Sequence, residues 1–581
     1  MSGGTTGSNA SGGGRSVGRQ RLSGLSRRLT RDEAYQDGHL TRAGFASLAI
    51  LTFITFVGNF TQLQLSAALP DIVSEFGITV TTGQWLTSVF QLSMGVMVPL
   101  TAYLTRRFST RQIVIASMLV FTAGSVLAWL GPSFGLVLLG RTLEAVGTGV
   151  MWPVLQITVF SIYPLSHRGV AMGTVGMAMS VAPAIGPTIG GLQTDANGWR
   201  SIFLTLTITG IVGLLLAVFG LRNFAENDRG ARADFFSVGL SVFGFGGLMF
   251  GFTNIESYRF DHPMVWLPMT VGVVGIVWFV LRQIHAATRY HAQMARIAAD
   301  ADTRTDADAG GTDARADGAP AGGEGAGSAA RPAATAKLPQ PPLLDLGVLR
   351  NRSFTIGTIC AALSFFAFSS ILVIIPLYIQ TDRGYSATMS GLIMLPGALG
   401  QCISQFFGGR LLDRLGARPV ALTGAIVLTF GTLMMSFLGT DTWIWWISIW
   451  QFVRQIGMGF VLMPITTWSL NCLERKDVSA GSAVTNTVRQ ISGAVGAPVL
   501  VILMESFAKA RHAALGGGAG TTAVASIFGV TWALRISAAI MLAMTLCVVF
   551  GVRGDGAGNA RGIARRAIAR MHVVHPGRVA K

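Results

Sequence analysis

The run GRTLEAVGTGVMWP (residues 140–153) lies inside a longer apolar stretch, 134–156, and yet carries Arg141 and Glu144. A charged side chain at the centre of a bilayer costs roughly 2.5–3.5 kcal/mol on insertion scales, so ionisable groups kept there face a bundle interior and mark function. Arg141 and Glu144 stand three residues apart, which places them on one face of a helix. Whether this stretch crosses a membrane decides the reading of the whole chain.

Composition answers that question. Of 581 residues, 51% are hydrophobic and 12% charged, with a mean hydropathy of +0.54. A soluble globular chain is about 25% charged. Crossing the hydrocarbon core takes about 20 mostly apolar residues. Fourteen such runs are expected, near 45–69, 84–105, 112–130, 134–156, 170–192, 200–221, 236–254, 264–283, 353–379, 388–409, 419–438, 443–466, 482–504 and 530–552. The fold class is therefore an all-α polytopic membrane protein with fourteen transmembrane helices.

The net charge of +17 would suggest nucleic acid in a soluble protein, but its location argues otherwise. The connections from even to odd spans hold Arg106, Arg107 and Arg111; Arg168; Arg222, Arg229 and Arg232; Arg410, Arg414 and Arg418; and Arg475 with Lys476. The opposite loops hold few. This bias puts both termini on the cytoplasmic side of the cytoplasmic (plasma) membrane. It assigns the basic charge to topology and anionic membrane lipids, with no nucleic-acid partner.

Three segments escape the pattern. Residues 1–44 are polar and lack an apolar h-region, so they are expected as a disordered basic cytoplasmic arm, not a signal peptide. Residues 284–342, rich in Ala, Gly, Asp and Pro, are expected as a disordered cytoplasmic linker. Residues 553–581 form a basic cytoplasmic tail whose stretch 559–574 suits the inner leaflet. The cysteines, Cys360, Cys402, Cys472 and Cys547, lack metal-ligand spacing and are expected as buried thiols. No phosphate-binding G-x-x-x-x-G-K-[ST] loop occurs and no H-E-x-x-H, C-x-x-C or G-x-S-x-G run marks an enzyme site, so no enzyme, metal or cofactor is expected.

Two blocks recur. AYLTRRFSTRQ (102–112), after the second span, corresponds to GRLLDRLGARP (409–419), after the tenth. RTLEAVGTGVMWP (141–153), in the fourth span, corresponds to RQIGMGFVLMP (454–464), in the twelfth. An N-terminal six-helix half, 45–221, and a C-terminal one, 343–552, thus flank two extra central helices, 236–283. Parallel repeats of this kind are a transporter signature, with the substrate site at mid-membrane between the halves.

On these motifs the chain resembles the major facilitator superfamily, specifically its fourteen-span drug:proton antiporters of the EmrB/QacA type, over 45–283 and 343–552. GRLLDRLGARP is similar to the family's gating loop G-x-L-x-D-R-x-G-x-R through Gly409, Leu411, Asp413, Arg414, Gly416 and Arg418. In the first copy Arg106 stands where the Asp is expected and Ser109 where a Gly is. GMAMSVAPAIGPTIGG (176–191) resembles the antiporter helix motif through Gly186, Pro187, Gly190 and Gly191. The resemblance implies a part for Arg141 in proton coupling, while Glu144 stands where the family usually has glutamine. An acid that such proteins often place in span 1, before A-L-P, is replaced here. Thr61 and Gln62 occupy the positions ahead of Ala68, Leu69 and Pro70, with Asp71 and Glu75 following.

By these boundaries Glu144 is the only acid well inside a span, so Glu144 with Arg141 is the expected proton-coupling pair. The alternative is a static pair that offsets the burial of Arg141. Arg454, Arg489 and Arg535 are further embedded charges, and Gln62, Gln91, Trp152, Gln405 and Gln490 are candidates for the substrate cavity. The expected function is proton-coupled efflux of amphipathic drugs or toxic compounds by alternating access, driven by the proton gradient and carried out by a monomer. The alternatives are an exporter of an endogenous metabolite or lipid-like molecule, and a non-transporting sensor on the same fold.

Overall fold

A computed structural model describes residues 30–36, 39–78, 80–224, 234–255, 262–310, 344–474, 477–516, 518 and 521–552. Among these, fourteen helical rods occupy the fourteen apolar runs. They are α1 Arg42–Gln64, α2 Val80–Arg107, α3 Thr110–Leu130, α4 Phe134–Gly149 with a second segment Met151–Ile162, α5 Arg168–Asn197, α6 Arg200–Gly220, α7 Phe235–Ile255, α8 Pro263–Gly310, α9 Arg352–Leu377, α10 Ala387–Leu415, α11 Ala417–Met435, α12 Trp445–Asn471, α13 Val478–Ala514 and α14 Thr522–Gly551.

Ten of the rods are long and apolar enough to cross a membrane by that measure alone. The helices α10 and α12 are less apolar, because they carry Gly, Ser and Gln toward neighbouring helices instead of hydrocarbon toward lipid. The break in α4 at Val150 has a local cause. Pro153 has no N–H to give to the Gly149 carbonyl, and its ring crowds that oxygen. Past Gln64, α1 tightens into a 3-10 turn, Leu65–Ala68, and a short helix, Leu69–Phe76, ending at Gly77 with φ +60°.

The two halves use the same pairings. In the first, α1 packs on α5, α2 on α4, and α3 on α4 and α6; in the second, α9 packs on α13, α10 on α12, and α11 on α12 and α14. The halves meet along two seams, α5 against α10 and α2 against α13. The central helices α7 and α8 form a hairpin, and α7 leans on both α2 and α13. One seam is thus covered by a third helix, while the α5–α10 seam is not.

Two polar segments depart from expectation. The described residues of 30–44, read as the end of a disordered arm, are folded: Arg31–Ala34 is helical and Tyr35–Gln36 pairs antiparallel with His39–Leu40. Ala34 is buried with Ile162 and Phe224, and the Tyr35 ring lies 5.5 Å from that of Tyr163. Apolar groups concentrated in this short stretch supply what the arm's average composition hides. Likewise α8 runs past residue 283 to Gly310, through the start of the expected linker. That stretch, HAATRYHAQMARIAADADTRTDADAG, is rich in alanine and has no proline, and its summed propensity favours helix. The chain returns at Leu344, whose N–H donates to Gln283 Oε1 at 3.1 Å. Residues 1–29, 311–343 and the tail 553–581 lie outside the described residues.

Candidate functional site

The inward face of α4 carries Arg141 and Glu144, both fully buried. Arg141 Nη1 donates to Glu144 Oε2 at 2.8 Å, and Ser125 Oγ of α3 donates to Glu144 Oε1 at 2.7 Å. The other guanidinium donors reach across the half: Nη1 and Nη2 to the Thr61 carbonyl of α1, each at 3.4 Å, and Nε to the Leu86 carbonyl of α2 at 3.5 Å. The guanidinium also lies 4.3 Å from the centroid of the Phe90 ring. Close helix approach makes this possible. A Cβ at Gly124 would strike the Gly140 carbonyl, so α3 comes near enough to lay Ser125 on Glu144. The two side chains of α4 are thus together tied to three other helices of the same half.

At the end of the bundle that carries the arginine-rich loops, the predicted gating loop bridges the halves. Asp413 Oδ1 accepts from the Gly169 N–H at 2.9 Å and Oδ2 from the Val170 N–H at 2.7 Å. These are orphan donors at the N-terminus of α5, where the helix dipole favours a carboxylate. Arg168 Nη1 adds a second tie, to Asn471 Oδ1 at 2.9 Å. Just above, a Cβ at Gly173 would meet the Gln405 carbonyl and Gly409, so the two backbones nearly touch. Gly416 turns the chain at φ +84°; Arg414 is exposed, and Arg418 Nη2 donates to the Val549 carbonyl at 3.4 Å. At the other seam, next to Arg106, the contact is between two hydroxyls, Thr105 Oγ1 and Ser479 Oγ, 3.1 Å apart. The intact second copy of the loop thus ties its seam through a carboxylate, while beside the degraded first copy two hydroxyls meet across the other seam.

The antiporter helix motif lies farther along α5. Gly186 and Gly190 are buried and Gly191 partly so, and Pro187 is within the helix. Gly190 faces the Gln64 carbonyl at the end of α1. Gln64 Nε2 donates to Gln193 Oε1, and Gln193 Nε2 to Thr205 Oγ1 at 2.7 Å, joining α1, α5 and α6. The motif thus packs within the first half.

The other predicted residues scatter. Arg454 is buried in α12, donating to Gln451 Oε1 at 3.4 Å and Gln455 Oε1 at 3.2 Å, with no carboxylate partner among the described residues. Arg489 of α13 lies between Phe365 and Trp152. Arg535 is corrected: it is exposed on α14 beside Trp532, because the helix face these two residues share points away from the bundle while Ala533 and Leu534 face inward. Of the cavity candidates, only Trp152 meets one of the embedded charges. Gln405 is buried in the α5–α10 seam, Gln490 borders a small cleft with Gly95, Met249 and Thr487, and Gln62 and Gln91 are partly exposed. Sequence reasoning missed Ser125, Ser482 and the Thr61 and Leu86 carbonyls. A backbone oxygen has no sequence signature, and neither serine stands out among the many serines of the spans. Among the described residues no group of His, Cys, Asp and Glu could hold a metal ion.

Comparison with known proteins places this architecture. The family described as Major Facilitator Superfamily is matched over residues 48–497. YcnB of Bacillus subtilis, an uncharacterized MFS-type transporter, is 32% identical over 497 residues, 85% of this chain and 92% of that protein. The lincomycin resistance protein LmrB of Listeria innocua is 29% identical over 455 residues, 78% of this chain and 85% of that protein. The multidrug export protein EmrB of Escherichia coli is 22% identical over 476 residues, 81% and 83% of the two chains. Among solved structures, the human organic anion transporter MFSD10 shares the fold with a TM-score of 0.56 at 11% identity, over 87% of this chain and 99% of that one.

Proposed function

The chain belongs to the Major Facilitator Superfamily, and from that premise we propose that it exports amphipathic drugs or toxic compounds in exchange for protons, by alternating access. It is a multi-pass membrane transporter and not an enzyme. On the proposed reading it works in the cytoplasmic membrane with the arginine-rich end and both termini inside. The Asp413 latch and the tight α5–α10 seam then close the cytoplasmic side in the present conformation.

The observation that carries the proposal is the buried Arg141–Glu144 pair. A proton on Glu144 cancels the charge that holds Arg141, whose remaining partners are the Thr61 and Leu86 carbonyls and the Phe90 ring. Leaving a buried charge without its partner costs about 3–5 kcal/mol. Protonation therefore favours any arrangement of α1, α2 and α4 that gives Arg141 new partners or water. A proton can shift the two-state equilibrium only through such differential affinity. The names of two relatives, a lincomycin resistance protein and a multidrug export protein, favour toxic compounds as cargo.

The test uses purified protein in liposomes with an acidic lumen and an internal pH dye. Amphipathic drugs added outside should trigger proton release from wild type and none from Glu144→Gln. Equal release from both would reduce the pair to a structural tie. Thr61 and Gln62, in place of the acid in α1, favour a second cargo class, an endogenous metabolite or lipid-like molecule. Release triggered by such molecules alone would select it.

A further inference from the structure

Midway along the bundle, the second segment of α4 faces α13 across the boundary between the halves. Arg489 stands eleven residues past Val478, the start of α13, and Trp152 ten residues before Ile162, the end of α4. At about 1.5 Å per residue both lie about 15 Å in from the arginine-rich end, half the depth of a hydrocarbon core of about 30 Å. In this contact Gln156 Oε1 accepts from Ser482 Oγ and from Asn486 Nδ2, the latter at 2.9 Å. That leaves Gln156 Nε2 and Asn486 Oδ1 buried without a partner among the described residues. One turn on along each helix, Trp152 Nε1 and Arg489 Nε are buried and unpartnered too. Among the described residues the guanidinium meets two rings, 4.5 Å from the centroid of Phe365 and 5.6 Å from that of Trp152.

Buried polar groups are nearly always paired, and an unpaired one costs about 1–3 kcal/mol, more when charged. Here four orphan atoms line neighbouring turns of two facing helices. Three are donors, and one belongs to a fixed positive charge. Water could satisfy the amides, but it supplies no counter-charge for a guanidinium. No described carboxylate pairs with Arg489, and Glu144 is sealed behind Arg141 and Ser125. A guanidinium presents a planar fork that matches a carboxylate bidentately, and the two flanking rings offer faces to a flat apolar body.

We propose that Arg489, Trp152, Gln156 and Phe365 form the recognition subsite of the transport path for an anionic group on an aromatic body, so that the cargo class is amphipathic organic anions. The proposal rests on the transporter reading above and narrows its cargo. It runs against a cation exporter, which would need a carboxylate in this place.

The test is calorimetric titration of the purified full-length protein with three probes that share a naphthalene body: 2-naphthoate, 2-naphthamide and 2-naphthylmethylammonium. Wild type should bind the naphthoate about tenfold or more tightly than the other two. Arg489→Gln should bring naphthoate down to the amide's affinity and leave the amide unchanged, while Arg489→Lys keeps part of the preference. Should Arg489→Gln not fold, Trp152→Phe keeps the ring and removes the N–H, and it should weaken naphthoate alone. The subsite is overturned if the amide or the ammonium binds as tightly as naphthoate, if none of the three binds, or if the preference survives these substitutions. Proton release by wild-type liposomes, run in parallel, separates the two readings. Naphthoate preference without proton release would sink antiport and keep the subsite; release with ammonium compounds alone would do the reverse.

Discussion

At the scale of single residues, Arg141 and Glu144 are conditional on each other. Arg141→Gln strands a buried carboxylate and should cost about 3–5 kcal/mol, read as a lower melting temperature in detergent. The double change Arg141→Met with Glu144→Leu removes both charges at similar volume and should recover most of that loss, since apolar replacement of a buried pair is often neutral. Neither variant should release protons. A double variant as unstable as the single one would show that the pair does more than offset its own burial. Both charges are legible in the sequence, because an ionisable group stands out in an apolar run. Their helpers are not: Ser125 and the carbonyl of Thr61 become partners only through the approach of α3 and α1.

At the scale of elements, the α5–α10 seam is built on contact without side chains. Gly173→Leu should wedge it open, cut transport about tenfold or more, and expose a cysteine placed at Gln405 to a membrane-impermeant maleimide. A buried Gln405→Cys thiol in the wedged variant would refute that account. At the opposite end a second tie joins elements. The side chains of Arg200 and Trp199 donate to Glu75 and hold its carboxyl below the usual carboxylate range. A depressed value in the folded state stabilises above the unfolded value of about 4.3 and is lost as pH falls through the folded one. Melting temperature followed from pH 7 down to 3 should therefore drop in the acid range for wild type and drop less for Glu75→Gln. The spans themselves are legible as apolar length. The helix at Arg31–Ala34 with its strand pair and the helical course of α8 to Gly310 are not, since a few apolar residues or a run of alanines disappear in a segment's average composition.

At the scale of the whole molecule, two like-built halves meet through unlike seams, one tied by the Asp413 carboxylate and the other bringing the Thr105 and Ser479 hydroxyls together. In a background without the four native cysteines, Thr105→Cys with Ser479→Cys should form a disulfide that locks the arginine-rich end shut. Transport should stop and return on reduction. Undiminished transport by the cross-linked protein would mean that this seam stays closed throughout the cycle.

The sequence by itself determined the membrane class, the fourteen rods, the doubled half and the end that collects arginine. Each of these follows from hydrophobic length or charge summed locally along the chain. Only the tertiary structure decided that Glu144 is sealed inside one half, that Arg535 faces outward, and that Arg489 stands without a carboxylate between two rings. Those outcomes depend on the rotation and depth of each rod, which are set by small-residue contacts between helices far apart in the chain.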